Sequence, residues 1–305
     1  MPRATVVVPV LNGAEHLPSL LDALAKQDVE LEVVAIDSGS RDASIAILER
    51  AGVRLLRIPP AAFDHGETRN LGAREARAEF VLFLSQDAIP ADAVFAGRLV
   101  DPLEKDARLA GAFARQAPRP DADPLTKRDL ATWVAGAPEG RTVFLDDAAT
   151  LDRLTPLERH RLTAFDNVAS AVRRSVLLAH PFAASRFGED AEWGPRILRL
   201  GYGIAYVPEA VVVHSHRRSA RYLYRRNYLG HRTLFRLFGL QTVRDLPHLA
   251  RAMAGSLSSD LSTLARGHGR LSDWLRAPAQ AVAASYGQYR GARDERLARP
   301  YPEWA

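Results

Sequence analysis

The chain has 305 residues, of which 47% are hydrophobic, and this suits a folded protein of one large or two modest domains. It contains no cysteine, which excludes disulfides, thiolate metal sites and cysteine nucleophiles and fits a reducing cytoplasm. The formal net charge of +5 is compatible with an anionic partner but is too weak to name one.

The first third of the chain alternates short apolar runs with segments of helical spacing. The apolar, β-branched runs predict strands at 5–10, 31–37, 53–58, 80–85 and 109–115. The helical spacing predicts helices at 15–27, 40–50, from 67 onward and at 91–105. Such alternation with short connections is typical of an α/β fold, and we predict a mostly parallel sheet flanked by helices.

The pattern changes after residue 115, where a stretch rich in Pro and Asp interrupts the alternation at 116–124. Further along, we predict a strand running into a helix at 167–177, a helix at 187–202, and strands at 203–208 and 210–216. Helical segments dominate from 219 to 291. We therefore predict an α/β domain at 1–216 and a helical C-terminal extension at 217–305.

Candidate binding residues follow four of the predicted strands, at the point where each strand ends. Ligands of parallel sheets bind beyond the carboxyl ends of the strands. In chain order these residues are Pro9, Leu11 and Asn12, then Asp37, then Arg69 and Asn70, then Gln86 and Asp87. Each of them alone can belong to an ordinary turn or helix cap, but their common position at one edge favours a binding site.

The chemistry of this set is typical of a site for a nucleoside diphosphate. Asp37 can accept hydrogen bonds from a base or ribose, and the stretch FDHGETRN at 63–70 opens a helix whose free N–H groups suit a phosphate. Arg69 adds a permanent charge with fork geometry, and Asp87 can hold a divalent cation. Neither the P-loop pattern nor the dinucleotide fingerprint is present in the chain.

Five motifs resemble those of inverting glycosyltransferases of family 2, which have the GT-A fold. They are VVVPVLNG, VVAIDSGSRDAS, HGETRNLGA, LFLSQDAIPAD and FGEDAEW, and the resemblance covers about residues 4–216. The third and fourth motifs together are similar to a bacterial rhamnosyltransferase branch, which uses dTDP-L-rhamnose to build cell-surface polysaccharides. The resemblance implies a nucleoside-diphosphate sugar donor, a divalent cation (Mg²⁺ or Mn²⁺) and an inverting displacement on a saccharide or lipid-linked acceptor.

The resemblance also implies roles for single residues. The residues expected to bind the donor are Pro9, Leu11, Asn12, Asp37, Arg69, Asn70 and Gln86. Asp87 and His214 are the expected metal ligands, and imidazole suits Mn²⁺ better than Mg²⁺. The segment Gln86-Asp87-Ala88 departs from the commoner D-x-D form, which supplies two carboxylates. It therefore predicts a metal site with one carboxylate ligand fewer.

The pair Glu189-Asp190 matches the catalytic position of the family. An inverting displacement needs a carboxylate to take the proton of the attacking hydroxyl, and we predict that Asp190 is this base. Glu189 and Trp193 are predicted to contact the acceptor. The alternative is that the two acids only stabilise the helix dipole and that Trp193 belongs to the core.

The segment 217–240 interleaves arginines with aromatic residues, and no acidic residue lies between His214 and Asp245. Such a helix can lie on an anionic membrane surface or pack on the protein with its arginines in solvent. The later helices can also form a homodimer interface. Nucleic-acid binding is not expected, because no recognition motif accompanies the basic residues.

The N-terminus lacks the pattern of a secretory signal, and no stretch approaches the roughly 18 apolar residues of a membrane span. We therefore expect a cytoplasmic protein, peripheral at the inner face of the membrane if segment 217–240 binds lipid. Three other functions compete with rhamnosyl transfer. They are glycosyl transfer from a UDP- or GDP-sugar, nucleotidyl transfer, and binding of a sugar nucleotide by a non-catalytic scaffold protein.

Overall fold

The computed structural model describes residues 1–304 of the chain. These residues form two compact units. The first unit comprises Met1–Ala117, Trp133–Arg153 and Leu162–His214, and the second comprises Pro118–Thr132, Leu154–Arg161 and the chain from Ser215 onward. The division after residue 214 lies two residues from the predicted one. The short segments 118–132 and 154–161, predicted to lie in the α/β domain, belong to the second unit.

The first unit is built on one mixed sheet. Its strands are β1 (Ala4–Val10), β2 (Leu31–Asp37), β3 (Arg54–Arg57), β4 (Phe80–Leu84), β5 (Ile89–Pro90), β6 (Leu109–Ala117), β7 (Arg141–Val143), β8 (Ala169–Arg173) and β9 (Gly203–Val213). They follow the order β3-β2-β1-β4-β8-β6-β9-β5, and β7 also pairs with β9. Strands β1 to β4 pair in parallel, as do β6 and β9, whereas β5, β7 and β8 run antiparallel to their neighbours. The predicted mostly parallel sheet is confirmed.

The α-helices of residues 1–304 alternate with strands in the first unit and dominate the second. They are α1 (Leu17–Ala25), α2 (Ser44–Arg50), α3 (His65–Glu75), α4 (Phe95–Lys105), α5 (Pro124–Thr132), α6 (Thr150–Arg153), α7 (Pro156–Leu162), α8 (Arg174–Ala179), α9 (Glu189–Arg199), α10 (Ala220–Phe238), α11 (Leu246–Arg266) and α12 (Leu271–Arg296). None of these helices is both long and apolar enough to cross a bilayer.

Alternation along the strands divides the core between the two faces of the sheet. In β1, Val6, Val8 and Val10 belong to one buried cluster with the leucines of α1, whereas Val7 belongs to the cluster on the other face. Successive side chains of a strand point to opposite faces, so a strand that is apolar throughout must be covered on both. This is why the β-branched runs predicted buried strands.

Two element predictions differ from the structure. We expected separate strands at 203–208 and 210–216, but β9 is continuous, and its pairing with β6 shifts between Val207 and Val211. Pro208 lies in that irregular stretch, where its missing N–H breaks no regular ladder. Helix α2 begins at Ser44 instead of Ser40, because the Ser40 side chain accepts a hydrogen bond from another loop instead of capping this helix.

The second unit consists of helices, and α10 packs its aromatic side within it. Tyr228 is buried and its hydroxyl donates to Asp294 at 3.2 Å. Arg232 is also buried, where it forms an ion pair with Glu295 at 2.7 Å and stacks on Tyr301. One side of the basic, aromatic segment 217–240 is therefore core, as the packing alternative predicted.

Candidate active site

The loops that follow β1 and β4 are joined by Gln86. Its side-chain amide donates to the Leu11 carbonyl and accepts from the Leu11 N–H, both at 3.0 Å. A Cβ atom on Gly13 would lie 2.5 Å from the Gln86 Oε1 atom, so a larger residue there would displace the Gln86 amide. Gln86, expected to contact the donor, thus has both ends of its amide engaged in positioning the loop after β1.

The loops after β1 and β2 are also tied to each other. The Asn12 N–H donates to Ser40 Oγ at 2.8 Å, and the Arg41 N–H donates to Asn12 Oδ1 at 2.9 Å. The buried Asp37 carboxylate accepts from the N–H groups of Gly39 at 2.9 Å and Ser40 at 3.2 Å. Half of the Leu11 surface is exposed. The loops after β1 and β2 therefore form one hydrogen-bonded rim, on which the apolar side chain of Leu11 is open to solvent.

The entrance of α3 does not offer free N–H groups to a phosphate. The Asp64 carboxylate caps the helix and accepts from the N–H groups of Gly66 at 2.9 Å and Glu67 at 3.0 Å. An acidic cap satisfies these donors and brings negative charge to the helix end. The expectation that residues 63–70 hold the diphosphate through the helix N-terminus is therefore wrong.

Arg69 and Asn70 are used inside the protein. Arg69 forms a buried ion pair with Glu189 at 2.9 Å. The Asn70 amide donates to the Phe182 carbonyl at 2.9 Å and accepts from the Phe182 N–H at 3.0 Å. These contacts show that α3 holds the segment leading into α9, which carries Asp190. The predicted contact of both residues with the donor stays a prediction.

Asp190 lies in the first turn of α9 and is half-buried. Its Oδ2 atom accepts from the Asn167 N–H at 3.0 Å. Desolvation, together with the negative charges of Glu189 and Asp166, raises the pKa of Asp190 to about 7. For Glu189, burial alone would raise the pKa, but the charges of Arg69 and His65 outweigh it and lower the pKa. Of the two adjacent acids, Asp190 is therefore the one suited to accept a proton near neutral pH.

The predicted acceptor contacts of Glu189 and Trp193 are corrected by their burial. The Trp193 side chain has no exposed surface and packs between Phe165 and Phe182, with ring centroids at 4.8 and 5.4 Å. Its indole N–H donates to the His180 carbonyl at 2.9 Å. Glu189 is also buried, against Arg69 and the Asn167 amide. Both side chains are therefore buried beside Asp190 and pack within the protein.

Asp87 and His214 come together from two strand ends, after β4 and after β9. Their Oδ2 and Nε2 atoms are 3.5 Å apart. Two ligand atoms that each bind one ion at about 2.1 Å can be at most about 4.2 Å apart, so the pair fits a single cation. A carboxylate with an imidazole is a donor set that suits Mn²⁺ better than Mg²⁺. Two residues further along, the sequence provides another imidazole, His216.

Three residues of this region were missed by the sequence analysis. Gln116 contacts His214, Asp166 contacts Gln116, and Asn167 contacts both Glu189 and Asp190. The only sequence signal was their place beside strands, since Gln116 lies near the end of β6 and Asp166-Asn167 precedes β8. No motif distinguishes them from other polar residues in or beside strands.

Comparison with known proteins agrees with this architecture. The family model for glycosyl transferase family 2 matches residues 5–154. The chain is 31% identical over 238 residues to the O-antigen chain rhamnosyltransferase RfbN of Salmonella typhimurium, covering 74% of this chain and 70% of that protein. It is 30% identical over 237 residues to the O-antigen chain rhamnosyltransferase WbaN of Salmonella anatum, covering 75% and 71%.

A solved structure with the same fold is that of the mannosyltransferase PcManGT from Pyrobaculum calidifontis, in complex with GDP-Man and Mn²⁺. The TM-score is 0.63 at 19% identity, and the match covers 98% of this chain and 88% of that one. The sheet thus has the GT-A arrangement. Together with the extent of its identity to RfbN and WbaN, this shows that the chain is a glycosyltransferase that belongs to glycosyl transferase family 2.

Proposed function

We propose that this glycosyltransferase transfers its sugar with inversion and that Asp190 is the general base. The acceptor hydroxyl oxygen forms a bond to the anomeric carbon on the side opposite the diphosphate. The bond from that carbon to the diphosphate oxygen breaks, and its electron pair leaves with the nucleoside diphosphate. The hydroxyl proton moves to the Asp190 carboxylate.

One observation supports this role above the others, namely the contrast between two adjacent acids. Glu189 is buried and neutralised by Arg69 at 2.9 Å. Asp190 is half-buried and has a raised pKa. A base that is only partly desolvated remains reachable by an acceptor and holds a proton weakly enough to release it after transfer. Environments that separate the pKa values of neighbouring acids are typical of catalytic carboxylates.

Support for the donor pocket comes from the rim formed by the loops after β1 and β2. We propose that Pro9, Leu11 and Asn12 line the nucleoside and that Asp37 orients the base or ribose. The exposed half of Leu11 offers an apolar surface for a flat ring. The hydrogen bonds among Asn12, Ser40 and Arg41 hold that surface in place before the donor binds.

We further propose that Asp87 and His214 hold Mn²⁺ or Mg²⁺ beside the diphosphate. When bound, such a cation offsets the negative charge that develops on the leaving group. The two side chains contribute one carboxylate and one imidazole, 3.5 Å apart. Both are mostly buried, which restricts their rotamers and favours a defined position for the ion.

L-Rhamnose from dTDP-L-rhamnose is the proposed donor sugar, and a saccharide or lipid-linked saccharide of cell-surface polysaccharide synthesis is the proposed acceptor. The support is the similarity to RfbN and WbaN, both described as O-antigen chain rhamnosyltransferases. Calorimetric titration with dTDP, UDP and GDP, each with and without Mn²⁺, tests the choice of base. A preference for UDP or GDP would be consistent with a glycosyltransferase but would contradict dTDP-L-rhamnose as the donor.

The test of Asp190 is the substitution Asp190→Asn, measured in single-turnover transfer with saturating donor. We expect transfer to fall by about 10²- to 10⁴-fold, because a proton acceptor is lost, while donor affinity stays within about twofold. Glu192→Gln is the matched control, since Glu192 lies in the same first turn and pairs with Arg196. Unchanged transfer in Asp190→Asn would remove Asp190 from the mechanism.

The products distinguish the other two candidate functions. Transfer of a sugar releases the nucleoside diphosphate and inverts the anomeric configuration, which NMR of the product reports. A nucleotidyltransferase would instead release pyrophosphate, because its acceptor attacks phosphorus. A scaffold protein would bind the donor and release neither product.

We also propose that the segment 217–240 contacts an anionic membrane surface. Four arginines of this segment are exposed, namely Arg217, Arg221, Arg226 and Arg236. Each arginine near an anionic surface contributes about 1 kcal/mol. Cosedimentation with phosphatidylglycerol vesicles should exceed that with phosphatidylcholine vesicles and should fall at high salt. If a variant with all four arginines replaced by glutamine still cosedimented with phosphatidylglycerol vesicles as strongly as the unsubstituted protein, this surface would be contradicted.

A homodimer formed through the C-terminal helices is a separate proposal. Its support is the exposed apolar surface of α12, where Leu271 is 76% and Leu275 is 73% exposed. Light scattering on the purified protein should give twice the mass of the chain, and Leu271→Asp with Leu275→Asp should reduce it to the monomer. A monomer in the unsubstituted protein would exclude this interface.

A further inference from the structure

His214 is held by a buried chain of hydrogen bonds behind the predicted cation. Its Nδ1 atom lies 2.9 Å from Gln116 Oε1, and Gln116 Nε2 donates to Asp166 Oδ2 at 2.8 Å. All three side chains are buried. The backbone pairing of β6 with β9 continues through His214 N and the Ala117 carbonyl without them. The strands therefore do not need these side-chain contacts for their register.

The chemistry of Asp166 decides which way the Gln116 amide faces. Its carboxylate also accepts from the Trp133 indole N–H at 3.1 Å and from the Val168 N–H at 3.0 Å. An ionised carboxylate only accepts hydrogen bonds, so the amide must present its NH₂ group to Asp166. The amide carbonyl then faces His214 and can only accept.

It follows that the proton of neutral His214 is on Nδ1 and that the lone pair is on Nε2. Nε2 is the atom that lies 3.5 Å from Asp87 Oδ2. A metal ion binds the unprotonated ring nitrogen, and the hydrogen bond at the other nitrogen selects the tautomer and the ring orientation. The opposite tautomer would direct an N–H toward the cation.

We propose that Gln116 and Asp166 are positioning residues that set the tautomer and ring orientation of His214 for the catalytic cation. Gln116 acts on His214 directly, and Asp166 acts through Gln116. The inference rests on the proposed metal site for its purpose, but the tautomer itself is a property of the metal-free protein. Contacts of this kind typically change metal affinity by about 10- to 100-fold when removed.

The experiment uses Gln116→Met in the full chain, because methionine approximates the size of glutamine and removes both hydrogen bonds. Gln27→Met is the matched control. The Gln27 amide is also fully engaged, donating to the Ala23 and Asp92 carbonyls and accepting from the Ala96 N–H, in another part of the first unit. Mn²⁺ binding is measured by calorimetry and electron paramagnetic resonance in the presence of dTDP. We expect about a tenfold or greater loss of affinity in Gln116→Met and less than about twofold in Gln27→Met.

A second readout does not depend on metal or turnover. In ¹⁵N NMR of the metal-free protein at a pH where histidine is neutral, His214 should show a protonated Nδ1, with His214→Ala assigning the signal. Gln116→Met should give a mixture of tautomers. Asp166→Asn keeps the size of the side chain and should change the tautomer ratio of His214 in the same direction. This variant replaces Gln116→Met in the experiment if Gln116→Met does not fold.

The outcomes separate the two proposals. A protonated Nε2 in the unsubstituted protein, or unchanged Mn²⁺ affinity and tautomer in both variants, would overturn the positioning role while leaving the metal site standing. Absence of Mn²⁺ binding by the unsubstituted protein would overturn the metal site, and the tautomer measurement would still decide whether Gln116 orients His214.

Discussion

Glu189 and Asp190 are adjacent in the sequence, yet they differ in burial and in the groups that surround their carboxylates. Glu189 faces into the protein, where Arg69 and Asn167 satisfy its carboxylate. Asp190 is half-buried, and one of its carboxylate oxygens accepts a hydrogen bond from the Asn167 N–H. Since a helix turns by about 100° per residue, neighbouring residues in its first turn cannot share one environment. The chemistry of the site therefore depends on which side of α9 each acid occupies.

The raised pKa of Asp190 predicts how activity depends on pH. A base must be ionised to accept a proton, and Asp190 ionises above its pKa of about 7. Transfer should therefore fall as the pH decreases through about 7, whereas a solvated aspartate would remain active down to about pH 4. The measurement is kcat/KM for the acceptor between about pH 5 and about pH 9.

Asp166→Asn should move this acidic limb to lower pH, because the Asp166 charge opposes ionisation of Asp190. Asp22→Asn removes an exposed charge on α1 and is the control, which should leave the profile in place. A profile of Asp166→Asn that coincides with that of the unsubstituted protein would mean that the limb reports another group.

Trp193 is predicted to act on stability and not on acceptor binding. Trp193→Phe removes the indole N–H and leaves the partly buried His180 carbonyl without that donor. We expect a loss of about 1 to 3 kcal/mol in the free energy of unfolding, with the acceptor KM of the folded enzyme within about twofold. Denaturant unfolding and steady-state kinetics test this. A roughly tenfold rise in acceptor KM without loss of stability would restore the acceptor role.

At the scale of elements, α3 is a brace between the sheet and the segment that leads into α9. A Cβ atom on Gly72 would lie 2.3 Å from a Val7 side-chain carbon in β1. On the other side, Asn70 holds Phe182 and Arg69 holds Glu189. Because Asp190 follows directly, the orientation of the predicted base depends on this helix. Arg69 and Asn70 thus position the segment that carries Asp190.

Gly66→Ala tests the brace. A Cβ atom there would lie 2.2 Å from the Ala183 backbone oxygen, which cannot rotate away. We expect a loss of about 1 to 3 kcal/mol in stability, together with reduced kcat because the segment carrying Asp190 must shift. Circular dichroism melts and transfer assays measure the two effects.

The control is Gly255→Ala in the helix α11, where an added Cβ meets no atom within 4 Å. Alanine should stabilise that helix by about 0.5 to 1 kcal/mol and leave kcat unchanged. If Gly66→Ala behaved in the same way as Gly255→Ala, the close approach of α3 to residue 183 would not restrain the site.

At the scale of the whole molecule, the proposed metal site links ligand binding to folding of the first unit. Asp87 follows β4 and His214 follows β9, so the proposed cation would join two parts of the chain that come together only in the folded unit. A ligand that binds only the folded state stabilises it, by about 2.7 kcal/mol at about one hundred times its Kd.

Mn²⁺ with dTDP should therefore raise the Tm of the unsubstituted protein above the value with dTDP alone. Asp87→Ala should abolish the metal-dependent part of this shift. Asp92→Ala is the control, because Asp92 is a nearby exposed carboxylate in the sequence that pairs with Arg98. Scanning calorimetry measures all three proteins. An equal Mn²⁺ shift in Asp87→Ala would place the ion elsewhere.

The sequence by itself determined the elements whose signals are local. Apolar runs of β-branched residues specify strands that are buried on both faces, and their alternation with helices specified the mostly parallel sheet. The strand-end motifs were sufficient to identify the family, because each motif is a continuous run of residues. It can be recognised in the sequence without knowing which residues contact it in the fold. Asp87, His214 and Asp190 were found in this way, and their roles remain predictions.

Only the tertiary structure decided which side chains are buried and which partners they contact. Arg69 looked suited to a phosphate until folding brought Glu189 beside it, and Trp193 looked suited to a sugar until Phe165 and Phe182 enclosed it. Gln116 and His214 are 98 positions apart in the chain, so no local pattern records their contact. The physical reason is that charge pairing and burial depend on distance in space, which sequence spacing does not report beyond a few residues.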